Sequence, residues 1–135
     1  MRFWCEMLDP SRQALRFAFV GIGSTALHVA TASFLIEVGR ADAGAANGIA
    51  FTIATLASYL SNSIFTFRAP LAGGSLMRFV VVALAGLALT VAITSAIQSA
   101  GYHYLVGIAA VVFTVPALSF WSHRLWTYRA RSPAG

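Results

Sequence analysis

The residues best equipped for chemistry are Arg124, His123 and Asn62, with Ser119 and Ser58 one turn ahead of the latter two. A guanidinium stays charged when partly desolvated and presents paired N–H donors that match phosphate oxygens. His123 and Asn62 can both donate hydrogen bonds beside it. The competing reading of Arg124 is an interfacial arginine that snorkels its charge back to water. A second group, Ser24, Thr25 and His28, lies inside an uncharged run, where an ionisable side chain marks a functional site by default. A neutral His28 bonded to a neighbouring hydroxyl would be equally at home there. No nucleophile–base pair, no carboxylate inside an apolar run and no metal-type spacing of Cys, His, Asp and Glu occurs. The expectation is therefore a protein that is not an enzyme and that takes no metal or cofactor.

These residues sit in a stretch that occurs twice. Ser58 to Arg68 reads SYLSNSIFTFR and Ser119 to Arg129 reads SFWSHRLWTYR. Ser58/Ser119, Ser61/Ser122, Thr66/Thr127 and Arg68/Arg129 are identical, and Tyr59/Phe120, Phe65/Trp126 and Phe67/Tyr128 exchange aromatics. The copies differ where Asn62 faces His123 and Ser63 faces Arg124. Upstream, Leu15-Arg16-Phe17 recurs as Met77-Arg78-Phe79, with an offset that agrees to within one position. Such self-similarity predicts two tandem copies of one unit, about 10–68 and about 77–129, within a single domain.

The elements that must position these residues are membrane helices. The chain is 59% hydrophobic and 10% charged, whereas a soluble domain carries about a quarter charged residues. Its one cysteine, Cys5, excludes an intrachain disulfide. The basic pI of about 10.4 does not indicate nucleic acid, because the arginines flank apolar runs instead of forming a basic face. Asp9-Pro10 reads as a helix start, with Asp9 as N-cap and Pro10 at the first helical position. The uncharged run from Phe17 to Ile36 is about 20 residues, roughly 30 Å as a helix, enough to cross a bilayer core. Further runs cover Ala43 to Phe67, Phe79 to Ala100 and Leu105 to Ser122, the last containing Pro116. That proline either kinks its helix or forms a hinge. The turn Val38 to Gly44 and the minimal turn Gly101 to Tyr104 close two hairpins, and Ala69 to Ser75 joins them. Met1 to Pro10 lacks the apolar core and small-residue site of a cleavable signal peptide.

The fold class expected is an all-α membrane protein of four transmembrane helices. They form two parallel two-helix repeats related by a pseudo-two-fold along the membrane normal. With four spans, Arg2, Arg12, Arg16, Arg68, Arg78, Arg124, Arg129 and Arg131 fall on one side and Arg40 alone on the other. An arginine excess marks the cytoplasmic side, so both termini are expected in the cytoplasm. Phe65, Phe67, Trp126 and Tyr128 would then form an inner aromatic belt.

Arg16-Phe17, Val20-Gly21, Ser24-Thr25 and His28, followed by Ser58-Tyr59-Leu60-Ser61-Asn62 and Phe65-Thr66-Phe67, resemble the GtrA-like family of small four-span membrane proteins. The resemblance covers roughly Arg12 to Arg129. In the first span Gly21 and Thr25 match the family pattern, while Ser24 stands for its Asn and His28 for its Asp. In the second span Ser63 replaces the family's Arg, which the second copy restores as Arg124. The resemblance implies movement of a polyprenyl-phosphate-linked monosaccharide across the inner (cytoplasmic) membrane for cell-envelope polysaccharide synthesis. The phosphate and sugar would be held by Arg124, His123, Asn62, Ser58 and Ser119.

The hydroxyl and glycine positions also line up at helical spacing: Gly21, Ser24/Thr25, His28 and Thr31 on the first helix, Gly86, Thr90, Thr94 and Gln98 on the third. Close helix packing with cross-helix hydrogen bonds accounts for such stripes without any ligand. Three functions thus stand side by side. A lipid-linked sugar translocase comes first, and a non-transporting membrane anchor that recruits a glycosyltransferase is the alternative. A four-span cation exporter is disfavoured because Glu37 and Asp42 lie at a span end and in a turn. The expected partners are the polyprenyl-phosphate sugar, membrane lipid, a membrane glycosyltransferase under the anchor reading, and a second copy of the chain, since four spans enclose little volume for a headgroup. No nucleic acid is expected.

Overall fold

A computed structural model describes residues 9–129; Cys5, the N-terminal stretch before Asp9 and the tail after Arg129 lie outside the described residues. Helix α1 spans Pro10–Glu37, α2 Ala43–Ser61, α3 Gly73–Ser99 and α4 Tyr104–Ser122. Both α2 and α4 continue without a break into a five-residue π turn, Asn62–Thr66 and His123–Thr127. All four helices are long and apolar enough to cross a membrane. The chain divides between Leu71 and Ala72 into two compact units, and each contains one antiparallel helical hairpin.

The first hairpin starts where Asp9 and Pro10 predict. The Asp9 carboxylate accepts from the Ser11 backbone N–H at 2.9 Å and from the Ser11 hydroxyl at 2.6 Å, satisfying donors that a helix N-terminus leaves unpaired. These Ser11 hydrogen bonds, with a smaller contribution from the Arg12 guanidinium, hold the carboxyl below its ordinary pKa. Asp42 caps α2 in the same way, accepting from Ala45 N at 3.0 Å. Between them Gly39 has no room for a side chain, because a Cβ there would lie 2.8 Å from the Leu35 carbonyl oxygen. Ala46, Ala50 and Ala54, one turn apart, are buried on α2, and Ala32 is buried on α1. Small residues at a helix seam let the backbones approach closely.

The second hairpin achieves proximity differently. Gly86 and Gly107 lie against the facing helix, where a Cβ would sit 3.4 Å from Val115 Cγ1 and 3.6 Å from Thr94 Cγ2, ordinary contact distances. The turn uses Gly101 at φ 80, a conformation glycine adopts without steric penalty. Helix α3 begins at Gly73, six residues before the uncharged run that starts at Phe79. Ala72 is extended, Leu76 N–H donates to its carbonyl, and Ser75 Oγ donates to the same oxygen at 2.8 Å. Helix α4 and its π turn run through Thr127, beyond the uncharged run that ends at Ser122, so Arg124 lies on the helical continuation. Pro116 lies inside α4 without interrupting it.

Candidate functional site

In both repeated stretches the backbone widens at the same place. Phe67 N–H reaches back five residues to the Asn62 carbonyl at 2.8 Å, and Tyr128 N–H to the His123 carbonyl at 2.9 Å. Single π turns of this kind are often found at functional positions. The last carbonyls of such a turn lack ladder partners, and in each hairpin an arginine from the neighbouring helix supplies a donor. Arg16 Nη1 donates to the Phe65 carbonyl at 3.4 Å, and Arg78 Nη1 to the Trp126 carbonyl at 3.2 Å. The Leu-Arg-Phe and Met-Arg-Phe echo therefore has a physical meaning that the sequence alone did not reveal. The first bond is long for N–H···O, but the Arg16 guanidinium also lies over the Phe65 ring, 5.2 Å from its centroid.

Asn62 and His123, equivalent in sequence, are both buried and do different things there. The His123 ring stacks on Phe79, with centroids 4.2 Å apart and planes 15° from parallel, and it shares a 3.0 Å hydrogen bond through Nδ1 with Thr127 Oγ1. Asn62 Nδ2 donates to Ser58 Oγ at 3.2 Å. Its Oδ1 and the hydroxyl of Thr66 are buried without a hydrogen-bond partner. Ser63, where the second copy has Arg124, is fully buried, whereas Arg124 is half-buried. Of the four expected belt aromatics, Phe65 and Trp126 are exposed. Phe67 and Tyr128 are half-buried and turn inward, Phe67 against Phe17 (6.5 Å) and Tyr128 against His123 (6.2 Å).

Ser58 and Asn62 thus lie together in the first hairpin, and Ser119, His123 and Arg124 follow one another along α4 and its turn in the second. Ser119 and Ser122 line a groove of about 420 Å³ within the second hairpin. In the span of α1, Ser24 Oγ donates to Val20 O at 2.8 Å and Thr25 Oγ1 to Gly21 O at 2.9 Å. Both hydroxyls are satisfied by their own helix, a common solution in apolar surroundings. His28 instead crosses to α2, its Nε2 donating to Asn47 Oδ1 at 3.1 Å. Asn47 was visible in the sequence only as a polar residue inside an apolar run; the antiparallel pairing identifies it as the partner of His28. The described carboxylates stay at helix ends, with Asp9 and Asp42 as N-caps and Glu37 the exposed last residue of α1. Among the described residues no group of three or more His, Cys, Asp or Glu is placed to hold a metal ion.

The model of a family described as GtrA/DPMS, transmembrane domain, matches residues 16–131. The chain belongs to the GtrA/DPMS transmembrane-domain family. No curated protein and no solved structure matches it. Membership together with four apolar helices makes it a multi-pass membrane protein, and within the GtrA/DPMS frame its chemistry is related to polyprenyl-phosphate sugars. The Arg16 and Arg78 contacts, the two π turns and the His28–Asn47 pair all fall inside the matched residues.

Proposed function

We infer that this GtrA/DPMS-family protein moves a polyprenyl-phosphate-linked monosaccharide across the cytoplasmic membrane, with Arg124 as the principal phosphate ligand. The observation that carries this reading is the half-buried Arg124 on a helical turn to which Arg78 is also bonded, so two guanidinium groups serve one end of an apolar hairpin. The lipid tail of such a carrier can stay in the bilayer, and only the charged headgroup needs shelter during crossing. Taking a phosphate charge into hydrocarbon alone is costly, and a partly desolvated arginine offsets that cost with charge-assisted hydrogen bonds. Ser119 and His123 set the shape and polarity of the turn that carries it, and Ser58 and Asn62 those of the corresponding turn in the first hairpin. Ser24, Thr25 and His28 belong to the path across the membrane. The arginine excess supports cytoplasmic termini, and a homodimer supplies volume that one chain does not enclose.

The test is flipping of a polyprenyl-phosphate sugar by the full chain in liposomes. Arg124→Ala is expected to lower it about ten- to a hundredfold, the equivalent of one charge-assisted interaction. Arg124→Lys should fall between, because it keeps the charge and loses the fork. The exposed Arg12 serves as control, and Arg12→Ala should matter little. Equal losses in both alanine variants would reduce Arg124 to one more positive charge at the interface. An inserted wild-type chain that flips nothing but retains a glycosyltransferase in detergent would make it an anchor. Orientation is read separately: Gly73→Cys should be labelled only from the cytoplasm and Ala41→Cys only from outside.

A further inference from the structure

We propose that the groove of the second hairpin is the seat of the carrier's prenyl chain, with Arg78 at its mouth as a second phosphate ligand. This rests on the translocation reading and names the part of the molecule that would grip the lipid. On α3 the groove starts at Val81 and Val82, one turn beyond Arg78, and extends to Leu89; opposite, it runs from Trp126 in the π turn back along α4 to Val115. Arg78 to Leu89 along a helix is roughly 16 Å, so the groove reaches from the interface to about the middle of the bilayer, parallel to the helices. Its volume of about 420 Å³ lies in the range of small-ligand sites, roughly 300–1,000 Å³. The walls are hydrocarbon along most of this length, and the hydroxyls of Ser119 and Ser122 are its polar lining.

The mouth supplies the matching charge. Trp126 closes the groove, and its carbonyl accepts from Arg78 Nη1. That is the single hydrogen bond the half-buried Arg78 makes among the described residues, although a guanidinium carries five N–H donors. A chain lying in the groove would bring its headgroup phosphate to those donors, beside the turn that carries Arg124. The corresponding Arg16 of the first hairpin is committed differently, since it also covers the Phe65 ring. The arrangement fits a single hydrocarbon chain ending in a phosphate, which describes a prenyl phosphate better than a two-chain phospholipid.

The experiment uses the full chain in phosphatidylcholine nanodiscs with a diazirine-bearing farnesyl phosphate as probe. Photolabel should appear on residues 81–89 and 115–126. Undecaprenyl phosphate should displace it and an equal amount of phosphatidylglycerol should not. Arg78→Ala should weaken labelling about tenfold, with Arg78→Lys intermediate. Ala85→Trp fills the groove from its exposed rim, away from the helix seam, and should abolish labelling while the protein still elutes as the wild type does. Equal displacement by phosphatidylglycerol would make the groove an ordinary lipid contact and overturn the proposal, as would unchanged labelling in Ala85→Trp. Flipping that survives Ala85→Trp would sink the groove and leave the translocation reading intact. Labelling of the groove in a wild-type protein that does not flip would do the reverse.

Discussion

The two hairpins share a backbone device and fill it differently. Each ends in a π turn opened by the carbonyl of residue 62 or 123 and braced by an arginine from the neighbouring helix. In the second hairpin the interior position holds an imidazole, which stacks on Phe79 and satisfies Thr127. In the first it holds the smaller Asn62, which leaves its own Oδ1 and the Thr66 hydroxyl buried without partners. Buried polar atoms without partners carry a free-energy penalty. The second turn is therefore a completed network and the first an incomplete one. The two stretches share a π turn, and the side chains inside it differ.

The largest effect should separate these interiors. His123→Ala removes a stacked ring and strands Thr127, and should destabilise the protein in micelles by about 2–4 kcal/mol. Asn62→Ala removes an unpaired oxygen along with one hydrogen bond, and should cost about 1 kcal/mol or less. Denaturant titration of both variants checks this, and equal losses would mean that the two interiors are equally satisfied.

Next come the bracing arginines. Arg16→Ala and Arg78→Ala should each cost about 1 kcal/mol, since one loses a long hydrogen bond with a cation–π contact and the other a single shorter bond. Sharpening the comparison requires lipid binding as a second readout, in which only Arg78→Ala should show a deficit. A matching deficit in Arg16→Ala would erase the functional distinction between the hairpins.

The two interhelical turns should also respond differently. At Gly101 the demand is conformational, so Gly101→Asn should be milder than Gly101→Ala, each costing about 1 kcal/mol, because Asn tolerates positive φ. At Gly39 the demand is space beside a carbonyl, so Gly39→Asn should be no better than Gly39→Ala. Thermal unfolding of the four variants distinguishes the two cases.

The smallest effect is on pH. The Asp9 carboxyl is held below its ordinary value when folded, so its contribution is complete above the ordinary carboxylate pKa and is lost as pH falls through the lowered one. Hydrogen exchange in the first turn of α1 should quicken on acidification through that window. The start of α3, where Ala72 provides no side-chain cap, should show no such response. Acid-induced fraying of equal size at both starts would remove Asp9 as its cause.

Composition and the spacing of arginines were enough to establish four apolar helices, because lipid demands long uninterrupted apolar runs and a helical backbone to satisfy every peptide group. The Asp9 cap and the family resemblance were likewise legible, since they depend on neighbours along the chain. The π turns were not, because Asn62 and His123 carry no local mark that their carbonyls will pair five residues on. Nor could the sequence join Arg78 to Trp126 or His28 to Asn47, partners 48 and 19 residues apart on different helical segments. The hydroxyls of Ser24 and Thr25 could equally have bonded across helices; geometry turned them onto their own backbone. Whether His123 serves as an interior brace or an exposed ligand depends on which ring lies opposite it, and only antiparallel packing put Phe79 there.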